Sequence, residues 1–158
     1  MNQLELPPPP ADYDPLAVEP PTPIFKTLGI RLTAWSQGYA SAVMPLSPDY
    51  ANRHGMPHGG VLMTLMDAVG GYAGCWCAYP GRLRRAMTLS MNTSFLGVAS
   101  GAVLTTEARV TGGGRSLFFT EMTVHDEGGR LAARASGTYR YRSASQTPYG
   151  EPVEGGRA

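Results

Sequence analysis

The chain has 158 residues, 42% of them hydrophobic and 16% charged, a balance that excludes a disordered protein and suits one domain with a real core. Its formal net charge is +1 and Lys26 is its one lysine, which argues against a nucleic-acid binder with clustered basic residues. No run of about 18 apolar residues occurs, so no membrane span is expected; Met1–Glu5 lacks the basic and then apolar start of a signal peptide, so a cytoplasmic location is expected.

Residues 1–24 form a proline-rich arm with Pro7-Pro8-Pro9-Pro10 and Pro20-Pro21. Proline fixes φ and removes a donor, so the arm is expected to be extended or irregular, draped over the surface or a neighbouring subunit. Ile30–Ser36 and Tyr39–Leu46 alternate weakly around Gln37-Gly38, as a hairpin does. A loop over 47–58 leads to a helix over roughly 59–78, where Leu62, Leu65, Met66 and Val69 recur at helical spacing and Pro80-Gly81 marks the stop. Four strand-like segments follow: Ala86–Phe95, Ala102–Thr111, Leu117–His125 and Leu131–Arg142. Glycine-containing turns separate them, Gly112-Gly113-Gly114 among them. Residues 143–158 are polar and glycine-rich, and a flexible tail is expected there.

Two strands, one long helix and four strands predict an α+β fold, an antiparallel sheet of about six strands wrapped around a central helix. Gly70, Gly71 and Gly74 lie within five positions of that helix. Each costs ~1 kcal/mol against alanine, so close approach of sheet or partner backbone is expected to offset them. Cys75 and Cys77 are two apart, point in different directions on the predicted helix and are too few for a zinc site. They are expected to pack as small buried residues.

The helix opens on His58-Gly59-Gly60, and Asp67 sits about two turns inside its apolar stretch. Glycines at a helix start leave backbone N–H groups free and unshielded. An acid on an apolar helix needs a partner or a task. Free N–H donors and a lone acid are two parts of an acyl-transfer site. His54 and His58 are spaced like a helical metal pair, but Gly55 and Pro57 break the helix between them, so no metal site is expected.

Asn52, His58, Gly59, Gly60 and Asp67 at these spacings, with the strand order behind them, resemble the hotdog-fold acyl-CoA thioesterases of the phenylacetate-pathway (PaaI-like) type. The resemblance covers residues 25–142, which would be the hotdog domain. The segment Thr88–Leu96 is similar to the family's strand after the helix, and Gly114-Arg115-Ser116 to a following turn. The chain departs from the pattern at Phe95-Leu96-Gly97-Val98-Ala99, where the family commonly has a basic residue and a proline, and in its long N-terminal arm.

The resemblance implies hydrolysis of an aryl- or medium-chain acyl-CoA to the acid and free CoA. No metal or organic cofactor is implied, since CoA belongs to the substrate. It implies that the Gly59 N–H polarises the thioester carbonyl and that Asp67 acts as general base or nucleophile. His58 orients the carbonyl or caps the helix. Asn52 holds the water or fixes the turn. Gly60, Thr88, Arg115 and Ser116 fall at substrate-binding positions, and Thr88 is equally explained as a β-branched strand residue. Arg82, Arg84 and Arg85 either hold CoA phosphates or are solvated. Met63, Met66 and Phe95 are expected to size the pocket. A homodimer or homotetramer is implied, with the site shared between subunits. The rival readings are a hotdog enoyl hydratase or dehydratase using His58 with Asp67, and a non-catalytic acyl-CoA binding or sensing module.

Overall fold

The computed structural model describes residues 8–153; the first seven residues of the arm and the last five of the tail lie outside the described residues. Helices α1 (Pro15–Val18) and α2 (Pro23–Leu28) come first. Strands β1 (Arg31–Ser36) and β2 (Tyr39–Pro45) follow as a hairpin, and then α3 (Gly59–Cys75). The rest is β3 (Arg82–Leu83), β4 (Ala86–Phe95), β5 (Val103–Gly113), β6 (Leu117–Asp126), β7 (Leu131–Tyr141) and β8 (Glu151–Pro152).

Six strands make one antiparallel sheet in the order β1-β2-β5-β6-β7-β4, packed on α3. This is the hotdog arrangement. The alternation along the strands explains it. Leu104, Thr106 and Ala108 of β5, Phe118, Thr120, Met122 and Val124 of β6, and Ala133, Ala135, Tyr139 and Tyr141 of β7 all turn inward. They meet Leu62, Leu65, Met66, Val69 and Ala73 of α3. Burying each large apolar side chain contributes about 1.5–3 kcal/mol.

The aromatic part of this contact explains two glycines. A Cβ at Gly70 would collide with the Tyr139 hydroxyl and the Met122 sulfur, and one at Gly74 with the Phe118 ring. The expected close approach is therefore real, but sheet side chains make it rather than backbone. Two hydroxyls from β7 then reach the helix: Tyr139 donates to the Asp67 carbonyl at 3.2 Å and Tyr141 to the Gly74 carbonyl at 2.7 Å.

Four expectations need correction. The arm is not wholly extended. Asp14 and Thr22 accept from Leu16 and Phe25 N–H groups as caps, and Pro15 and Pro23 stand at the helix starts, where a missing N–H is no loss. Phe25 and Leu28 of α2 are buried in the core. Helix α3 ends at Cys75, because Trp76 turns to extended backbone; Cys77 lies beyond the helix, its thiol donating to the Tyr149 carbonyl at 3.6 Å. Both cysteines are free thiols. Strand β5 continues through Gly112 and Gly113 past an irregularity after Val110, so the turn falls at Gly114–Ser116.

The tail is not frayed over 143–153. A 3-10 turn at Ser143–Ser145 leads to β8, which pairs with β3. The arginine cluster holds it. Arg82 donates to the Tyr149 and Gly150 carbonyls, both at 2.7 Å, and Arg85 pairs with Glu151 at 3.0 Å. Arg84 donates to the Ser145 and Gly74 carbonyls, each at 3.2 Å, and lies 4.0 Å above the Tyr141 ring. The three side chains thus tie the tail to the domain, with that of Arg85 still 40% exposed.

Gly74→Ala is expected to lower stability by about 1–3 kcal/mol, the range for overpacking a core, despite alanine's better helix propensity. An unchanged urea midpoint would contradict the aromatic-to-helix contact.

Candidate active site

The loop before α3 is built to present the helix start. Asn52 Oδ1 accepts from the His54 N–H at 2.8 Å and the Met56 N–H at 3.3 Å, closing a turn that also carries Asn52 N–H to the Met56 carbonyl at 2.7 Å. Asn52 thus fixes this turn through its Oδ1. The His58 N–H donates to the Tyr50 carbonyl at 2.7 Å, and its Nδ1 accepts from the Gly60 N–H at 3.0 Å. His58 is therefore the N-cap of α3. That cap occupies Gly60. The Gly59 N–H has no acceptor among the described residues. The Phe95 ring lies over Gly59; a Cβ there would meet the ring at 3.0 Å. Glycine at 59 thus lets the ring lie against the helix start.

Asp67 lies eight residues on, ~12 Å along the axis. Its neighbours Leu65, Met66 and Val69 are fully buried, but Asp67 itself is only half-buried and opens onto a cleft. The sequence suggested a buried acid; the helix turns this position toward the side that the sheet leaves uncovered. Thr88 Oγ1 donates to Asp67 Oδ1 at 2.7 Å. The other carboxylate oxygen has no donor among the described residues. Thr88 and Asp67 are thus joined, a strand hydroxyl on the helix carboxylate. The Tyr139 hydroxyl beneath Asp67 is held protonated, its pKa raised by burial and by the Asp67 charge.

The cleft encloses about 650 Å³ and runs along α3 from Asp67 past Ala68 and Gly71 to Tyr72. Cys75 also lines it, its thiol pushed up to about 12 by burial and so inert at neutral pH. Met66 faces the core and does not line the cleft; Met63 and Phe95 do not line it either. Arg115 and Ser116 sit exposed on the β5–β6 turn, outside the cleft. Sequence reasoning missed Glu19, Trp35, Tyr72 and Tyr139, all of which line it. Among the described residues no three His, Cys, Asp or Glu side chains cluster as metal ligands, and no helix is long and apolar enough to cross a membrane.

The thioesterase superfamily matches residues 54–133, a span holding the cap, the free N–H, Asp67 and Thr88. The chain belongs to that superfamily. It is a thioester hydrolase by fold and family. A protein of Thermoplasma volcanium named as a candidate esterase is 30% identical over 120 residues, covering 75% of this chain and 88% of that protein. The solved structure of a conserved Pseudomonas aeruginosa protein is similar at 27% identity and a TM-score of 0.67, covering 77% of this chain and 94% of that one. The E. coli PaaI protein of the phenylacetic acid degradation operon shares the fold, with a TM-score of 0.67 at 24% identity over 76% of this chain and 84% of that one.

His58→Ala is expected to lower stability by about 0.5–2 kcal/mol, the range for a lost N-cap. His58→Asn, which keeps an acceptor, should retain most of it. Equal losses in thermal denaturation of the two variants would contradict the capping role.

Proposed function

We propose that this enzyme hydrolyses an aryl- or medium-chain acyl-CoA, in the manner of the PaaI-like type. The observation that carries the reading is the pairing of an unoccupied Gly59 N–H at the helix start with a Thr88-held carboxylate on the same helix. A thioester oxygen placed on the Gly59 N–H gains a donor worth ~2.7–4 kcal/mol in the transition state, with the helix dipole behind it. Thr88 fixes one oxygen of Asp67 and leaves the other to accept from water. Asp67 then takes the water proton as the hydroxyl bonds to the carbonyl carbon. The carbon–sulfur bond breaks, and the CoA thiolate leaves with that proton. Direct attack by Asp67 is the less favoured route, because the Thr88 bond lowers its nucleophilicity and orients it toward a water.

Gly59 and Asp67 of one chain are too far apart to serve one carbonyl carbon. We therefore place each site between two subunits related by a two-fold axis, Gly59 of one facing Asp67 of the other. The sheet supports this. Strand β4 is an edge strand ten residues long, and it exposes Met87, Leu89 and Phe95, each more than half accessible. A long apolar edge of this kind is a pairing surface, and a second copy of β4 fits it, with homodimers or pairs of dimers as the outcome. Arg115, exposed on its turn, is the residue we assign to the CoA phosphates, with Ser116 beside it. His58 spends its Nδ1 on the Gly60 N–H, which weighs against a hydratase that needs that histidine to move protons.

Asp67→Ala should lower kcat by ~10²–10⁴-fold, the range for a positioned general base, with the protein still folded. Thiol release from acyl-CoA reports it. Near-normal turnover in the purified variant would remove Asp67 from the chemistry.

A further inference from the structure

Packing explains Gly70 and Gly74 but not Gly71. A Cβ at position 71 would meet only Tyr139 Cε1, at 3.9 Å, an ordinary contact. Glycine within a helix costs ~1 kcal/mol against alanine, so position 71 forgoes stability with no packing reason within the chain. Gly71 is one turn past Asp67 and lines the same cleft. What its missing side chain leaves is open space beside the carboxylate.

The far end of that space is made by the N-terminal arm. Tyr72 lies ~7.5 Å beyond Asp67 along the axis. Its hydroxyl donates to Glu19 Oε1 at 2.9 Å. The Trp35 indole N–H donates to the Tyr72 carbonyl at 2.8 Å, and the Phe25 and Trp35 rings stand 5.4 and 5.2 Å from the Tyr72 ring. The arm is thus anchored by buried Phe25 just after it, and the half-buried Glu19 carboxylate is delivered to the cleft. Burial raises the Glu19 pKa against the pull of the Tyr72 hydrogen bond. No other donor reaches Glu19 among the described residues.

We propose that this cleft is the acyl pocket, that Gly71 sets its bore, and that Glu19, seated on Tyr72, closes its far end and limits acyl length. The proposal rests on Asp67 being the catalytic carboxylate. An acyl chain leaving the thioester carbon runs over Gly71 and ends against the Glu19–Tyr72 pair. A longer alkyl end must displace that hydrogen-bonded pair from its partner, which opposes binding. A side chain at 71 narrows the bore, whereas loss of Glu19 opens the end. The two changes therefore move length selectivity in opposite directions.

The test is thiol release from acetyl-, phenylacetyl-, octanoyl- and dodecanoyl-CoA by the full chain and by Gly71→Ala, Gly71→Val and Glu19→Ala. Light scattering and thermal denaturation accompany each variant. Gly71→Val should cut the ratio of kcat/KM for octanoyl- or phenylacetyl-CoA to that for acetyl-CoA by about 10–200-fold, the range for methylene-sized misfits in a pocket. Gly71→Ala should shift it part of the way, with no fall in Tm. Glu19→Ala should raise the dodecanoyl-to-octanoyl ratio by about tenfold. Unchanged ratios overturn the proposal. So does a change of assembly state in the Gly71 variants without a change of ratio, because that assigns Gly71 to helix packing between copies. Absence of thiol release from all four substrates by the unmodified protein overturns the thioesterase reading itself, an outcome distinct from the other two.

Discussion

Tyr139 and Phe118 of the sheet reach α3 only because positions 70 and 74 carry no side chain. Their rings stack at 4.9 Å and 6°, and Phe118 leans on Tyr141 at 4.7 Å. The hydroxyls of Tyr139 and Tyr141 then hold helix carbonyls at 67 and 74. This contact fixes the depth and the rotation of the helix at once. Depth brings the Asp67 carboxylate within reach of Thr88 on β4. Rotation turns Asp67, Ala68 and Gly71 toward the cleft while Leu65, Met66 and Val69 go to the core. Change the contact and the Asp67 carboxylate moves with the helix.

The helix start is set by different means. Asn52 closes a turn, His58 caps, and Gly60 spends its N–H on the cap. Three motif residues thereby act in series to leave a fourth, Gly59, with a free N–H. Hydrogen bonding, rather than burial, prepares this end of the site. Preorganised donors of this sort need no rearrangement when charge develops on the substrate oxygen. The carboxylate end, by contrast, is positioned by aromatic packing and one hydroxyl. One helix carries both groups about two turns apart, which is why the proposed site draws on two subunits.

Much of this was legible in the sequence, and the missing parts share a cause. Weak alternation around Gln37-Gly38 and the glycine-containing turns marked the strands of the main sheet, and Tyr139 and Tyr141 face inward on β7 as alternation requires. The motif gave Asp67, Thr88 and the helix start. What escaped were contacts between segments distant in sequence. Glu19 meets Tyr72 across 53 positions, and Arg82 meets Tyr149 across 67. No local pattern records such pairings. Proline composition alone predicts an extended arm, although Pro15 and Pro23 each follow a capping residue, Asp14 and Thr22, which is a helix-start signal. The polar, glycine-rich composition of the tail predicts flexibility. Its order comes from arginines donating to its backbone carbonyls, and composition does not show that. Met63, Met66 and Phe95 lie near the motif in sequence, but the rotation set by the aromatic contact turns Ala68, Gly71 and Tyr72 toward the cleft.

The central claim is that a helix-start donor from one subunit and a carboxylate from another make one site. Mixing two inactive variants, Asp67→Ala and Gly59→Pro, tests it most directly, since proline at 59 removes the N–H donor. With exchange between subunits shown by mass, each heterodimer contains one site with both groups intact. The account predicts that the mixture regains up to about half of the unmodified activity per heterodimer, on symmetry grounds. Exchange without any return of thiol release, or an active protein that is monomeric, would contradict it.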